Sequence, residues 1–130
     1  MTRNRQDRGR FDGVFNKCDQ FLDMEIADLD RIASIMVTRL PNVQGAVEGT
    51  EAVPEDFSTT MYKIDMLEEI RDKFAEIWDH FGYKMDILKC IETQRAACRQ
   101  IKSNLNLDKD SLGVIVWFES VLKTIEEMWS

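Results

Sequence analysis

The chain has 130 residues and a mass of 15.2 kDa, with 44% apolar and 32% charged residues and 17 bases against 24 acids, a net charge of −7. That is room for one domain, and the composition excludes a disordered chain. No window approaches the roughly 18 uninterrupted apolar residues a membrane-crossing helix needs, and two prolines with six glycines leave little punctuation for short strands.

The spacing of apolar residues predicts an all-α fold: three or four long antiparallel amphipathic helices in a coiled-coil-like bundle. Residues 1–10 (MTRNRQDRGR) offer nothing to bury and are expected to form a disordered basic arm, with no apolar run of a secretory signal behind them. Arg3, Arg5, Arg8 and Arg10 against Asp7 give this arm +3, so the other 120 residues carry −10. A body that acidic is repelled by nucleic acid phosphates and anionic membranes. The single helical domain is expected over 11–130.

The first helix is expected over about 11–40. Phe11, Phe15, Cys18, Leu22, Ile26, Leu29, Ala33, Met36 and Leu40 step by three or four, and Phe21, Met24, Ile32, Ile35 and Val37 widen the stripe. Pro41 is the expected stop, because the residue before a proline is pushed out of the helical region. Residues 41–57 hold both prolines, two glycines, four acids and no base, and read as an acidic, flexible loop.

From Ser58, Thr59 or Thr60 as a cap, a second helical pattern runs to about 105. Leu67, Ile70, Phe74, Ile77 and Phe81 form a heptad seam with Ile64 and Trp78 beside it. After Gly82 the best stripe is Ile87, Ile91, Cys98, Ile101 and Leu105. The seam shifts near 82–84, so the segment is kinked or broken there. One kinked helix is favoured, since a lone glycine is a weak stop; a tight hairpin at 80–84 is the alternative. The charge split, acidic before Gly82 and basic after it, suits either a single helix dipole or pairing across a hairpin.

The last helix is expected over 110–129, capped by Asp108, Asp110 or Ser111. Leu112, Ile115, Phe118, Leu122, Ile125 and Trp129 make one stripe; Val114, Trp117, Val121 and Met128 make a second about 100° away. More than half the circumference is apolar. LGVIVWF has a strand's composition, but no second strand is present to pair with it.

Chemistry-bearing patterns are sparse. His80 is the only histidine, and neighbouring Asp79 points about 100° away on a helix, so the two cannot form an orienting pair. Asp65, Glu69, Asp72, Glu76 and Asp79 line one helix face, which reads as a solvated face. No glycine-rich phosphate loop, calcium loop, paired-cysteine zinc site or di-iron motif occurs. Three cysteines without CxxC spacing, and no Asn-x-Ser/Thr site, point to a reducing, intracellular compartment, cytoplasmic or nuclear. No catalytic residue, metal, cofactor or small-molecule substrate is expected.

The expected function is a non-catalytic protein–protein interaction module, a subunit or adaptor that docks through its apolar C-terminal helix on a protein partner or a second copy. The candidate partner-binding residues are Val114, Trp117, Val121, Met128 and Trp129. The aromatic ones suit either interface anchors or a monomer's core. Nucleic acid or an acidic partner is expected only at Arg3, Arg5, Arg8 and Arg10. An acidic inhibitor filling a basic groove, and a metal-dependent helical hydrolase using the carboxylate row, are further alternatives. Arg95, Arg99 and Lys102 are expected to pair with acidic helix faces of the same chain.

Overall fold

The computed structural model describes the backbone of residues 2–44 and 55–130, and the side chains of 9–38 and 57–130. Among the described residues it is all-helical: α1 (Thr2–Gln44), α2 (Glu55–His80), α3 (Lys84–Lys102) and α4 (Lys109–Met128). None of these helices is long and apolar enough to cross a membrane.

The 43 residues of α1 make a rod about 65 Å long. It overruns the expected 11–40 at both ends. The backbone of residues 2–10 continues the helix, since arginine and glutamine are good helix formers and nothing in this stretch breaks the ladder. Pro41 lies inside the helix and not beyond its end. Proline forfeits one N–H bond there, and the chain completes only one more turn before Gln44. Of the segment expected as an acidic loop, 41–44 and 55–57 are helical, and 45–54 lies outside the described residues. α2 begins three residues before the expected caps, at Glu55.

Between α2 and α3 the chain breaks. The Ile77 carbonyl accepts from both the Phe81 and Gly82 N–H groups, at 2.8 and 3.3 Å. Gly82, buried, turns the backbone with φ 68°, a left-handed conformation that costs side-chain-bearing residues about 1–2 kcal/mol. α3 then starts afresh at Lys84. The favoured single kinked helix is therefore replaced by two helices, because the glycine supplies a conformation that ends a helix outright.

The core is continuous. Cys18, Leu22 and Ile26 of α1, Ile64, Leu67, Ile70, Phe74 and Trp78 of α2, Ile87, Ile91 and Cys98 of α3, and Ile115, Phe118, Leu122 and Ile125 of α4 belong to one buried cluster. On α2 the buried row ends at Trp78, leaving Ile77 half-buried and Phe81 54% exposed. An α-helix drifts against a strict heptad, so the expected seam rotates out of the core by its last turn. α3 likewise loses its last two expected core positions. Ile101 is exposed, and Leu105 leaves with the turn that follows Lys102. On α1, Met24, Ile32, Ile35 and Val37, expected to widen the apolar stripe, are exposed.

Candidate functional site

The C-terminal helix starts at a well-made cap. Asp108 accepts from the Ser111 backbone N–H at 3.2 Å and from its hydroxyl at 2.6 Å. These bonds, the hydroxyl's first, hold the Asp108 carboxyl below the usual carboxylate range. α3 and α4 are joined along their length by Arg95 with Glu126 and by Lys102 with Glu119 at 2.8 Å. Two of the three bases expected to find acids in the same chain therefore do so.

Most of both apolar stripes of α4 is covered by this chain, Leu112 excepted. Val114 is 3% exposed, Val121 4% and Trp129 1%. Trp117 and Met128 are half-buried and pack against the core. Lys63 of α2 caps the Trp117 ring, its ammonium 4.9 Å from the centroid. Of the five candidate partner-binding residues, three are thus interior side chains of this chain, and two keep part of their surface.

Trp129 is held by aromatic contacts from the other end of the sequence. Its ring centroid lies 5.5 Å from Trp78 and 6.2 Å from Phe11, and Phe15 stacks on Trp78 at 5.3 Å. Trp78 Nε1–H donates to Asp12 at 3.1 Å. The Trp129 Nε1–H is buried without a regular acceptor and lies beside the Cys18 thiol. Burial pushes that thiol up to about 12; the Trp129 indole works against the rise and the Asp19 charge adds to it. Cys98 is also buried, and burial raises both it and the half-buried Cys90. In all three, burial favours the thiol over the thiolate.

Two hydrophobic positions that the sequence did not single out as surface are prominent. Leu105, in the α3–α4 turn, is 98% exposed, and Val116, on the outer face of α4, is 50% exposed. Leu112 precedes Val116 by one helical turn and is also exposed. The signal for Leu105 was its setting in SNLNLDKD, where polar turn residues on both sides leave a leucine nothing to pack against.

The remaining candidates take ordinary places. His80 is exposed, with Nδ1 3.0 Å from the Glu76 carbonyl. Arg71 of α2 reaches Asp23 of α1 at 2.7 Å, with Glu68 and Asp72 also raising its affinity for its proton. Among the described residues no three His, Cys, Asp or Glu side chains converge to hold a metal ion. Arg10 is exposed, its guanidinium 5.3 Å from the Phe11 ring centroid; the side chains of Arg3, Arg5 and Arg8 lie outside the described residues. An open cleft of about 250 Å³ lies where Ser58, Thr59 and Tyr62 face Asp110, Ser111 and Val114.

Compared with known protein families, with curated proteins and with solved structures, the chain matches none. What the geometry defines is an all-helical bundle.

Proposed function

We propose that this chain is a non-catalytic, intracellular helical interaction module, a subunit or adaptor that docks on a protein through the outward edge of its α3–α4 hairpin. The observation that carries the reading is the exposure of Leu105, with Leu112 and Val116 one turn apart on the neighbouring helix. Exposed apolar residues that make one patch mark a surface a partner covers. Half-buried Trp117 and Met128 are the members of the C-terminal candidate set with surface left to contribute.

The bundle that presents this edge is read as antiparallel and coiled-coil-like. Asp12 meets Trp78 and Asp23 meets Arg71, so numbers rise on α1 as they fall on α2. Arg95 meets Glu126 and Lys102 meets Glu119 in the same sense on α3 and α4.

The test is a Leu105→Glu, Val116→Glu double variant. Both sites are exposed, so helicity and melting temperature should hold. Self-association by light scattering, or retention of a protein partner, should be lost. A wild-type chain that stays monomeric at every concentration, and retains no protein that the variant fails to retain, would sink the reading.

A second reading is favoured by α1 itself. Its backbone runs on through residues 2–10, beyond Phe11, where it meets Trp129. A helix carrying Arg3, Arg5, Arg8 and Arg10 past the acidic body suits nucleic acid phosphates. Deleting residues 2–10 should then abolish salt-sensitive binding to duplex DNA or RNA, and absence of binding by the full chain at low salt removes this reading.

A further inference from the structure

A second surface lies between α2 and α3, away from the α3–α4 edge and independent of it. Lys73, Ile77 and Phe81 repeat every four residues and form one wall; Asp86, Lys89 and Cys90 belong to the other. The two helices enclose an open groove of about 290 Å³. From Lys73 to Phe81 it spans about 12 Å, two helical turns. Its apolar part is substantial, since Ile77 and Cys90 are only half-buried and Phe81 is more than half exposed.

The groove carries two lysines, one on each wall. Elsewhere Arg31, Arg71, Arg95 and Lys102 have carboxylate partners, Lys63 and Lys84 lie over aromatic rings, and Lys17, Arg99, Lys109 and Lys123 make no ion pair among the described residues. Lys73 and Lys89, one on each wall, make no ion pair among the described residues. Lys73 nonetheless sits close enough to the groove for its charge to act on Cys90. Asp86 is the single acid in the lining, so the groove is net positive on a chain of net −7. An anchor with acidic flanks complements it, and a basic one does not.

We propose that this groove receives an acidic amphipathic helix of a protein partner, with an aliphatic or aromatic anchor on Ile77 and Phe81 and carboxylates reaching Lys73 and Lys89. Two turns of such a helix, with anchors three or four residues apart, match the groove's length.

The experiment uses the full chain and a fluorescein-labelled designed helix of roughly 14 residues, long enough to reach marginal helicity alone. It carries leucines at i, i+4 and i+7 and glutamates beside them; a control peptide replaces each glutamate with lysine. By fluorescence anisotropy the acidic peptide should bind at least about tenfold more tightly than the control. Lys73→Glu with Lys89→Glu should reverse that preference without moving the melting temperature, since both lysines are exposed. In the complex, alkylation of Cys90 by N-ethylmaleimide should slow. The Leu105→Glu, Val116→Glu variant should bind the acidic peptide like wild type, which separates this groove from the docking edge. Equal binding of the two peptides, indifference to the lysine reversals, or an unprotected Cys90 would overturn the proposal. So would displacement of the peptide by laurate with protection of Cys90, which would assign the groove to a lipid acid.

Discussion

At one end of the bundle, Phe11, Phe15 and Trp78 close over the penultimate residue of the chain, and Trp129 is 1% exposed. At the other end, where α3 turns into α4, Leu105 is 98% exposed and Leu112 and Val116 have no such cover. Both ends are rich in large apolar side chains. The difference lies in the partners that reach them. The first end gathers residues from α1, α2 and α4, separated by more than a hundred positions in the sequence. The second is a short turn rich in asparagines and aspartates. Hydrophobic residues therefore mean stability at one end and surface at the other, and the two can be told apart by mutation.

The largest expected effect is at the closed end. Trp129→Ala should cost about 3–5 kcal/mol, the range for emptying a buried aromatic site. Leu105→Ser should stay within about 0.5 kcal/mol, as for surface substitutions. Urea denaturation midpoints at pH 7 measure both. A large cost at Leu105 would mean that the turn is covered, and the contrast between the ends would dissolve. Next comes Gly82→Ala, expected to lose about 1–2 kcal/mol because φ 68° is disfavoured for any residue with a Cβ. A neutral outcome would show that the break between α2 and α3 relaxes easily, and that the closed end does not depend on it.

The helices themselves were legible. Steps of three and four located four apolar segments, and Asp108, one of the three candidates with Asp110 and Ser111, is the last cap. Three things were not. Whether Trp129 is covered by this chain or by another depends on where Phe11 and Trp78 end up, and periodicity carries no information about contacts that distant. Gly82 could have bent a helix or ended one; the choice rests on its backbone angle, which composition does not encode. The drift that exposes Phe81 and buries Trp78 needs the true pitch of the helix and the position of Phe15, while a heptad template assumes both. The candidate docking set accordingly contained core residues, while the exposed Leu105 passed as part of the α3 stripe and Val116 fell in neither stripe of α4.

A smaller effect sharpens the view of the α3–α4 hairpin, which joins the two ends. Arg95 and Glu126 are 25% and 39% exposed. A double-mutant cycle through alanine should give a coupling below about 1 kcal/mol, as solvent screens a pair of that exposure. Raising the salt concentration should reduce it further. A coupling of several kcal/mol would make this ion pair, and not apolar packing, the main tie between α3 and α4.

The smallest expected effect concerns Asp19, next to Cys18 beneath the closed end. Burial raises its carboxyl above the usual value, the Asp23 charge adds to the rise, and Arg71 opposes it. A carboxyl that holds its proton more tightly in the folded chain destabilises the fold whenever both states are ionised. That penalty is fully present above the folded pKa. It shrinks as pH falls and is gone below the unfolded value of about 3.9, where both states are protonated. Asp19→Asn mimics the protonated form, so it should raise the unfolding free energy at pH 7 and lose that advantage near pH 3. Denaturation curves at the two pH values decide it. If the asparagine variant were less stable at pH 7, the attraction of Arg71 would outweigh burial, and the aromatic end would owe part of its stability to the charges on its flank.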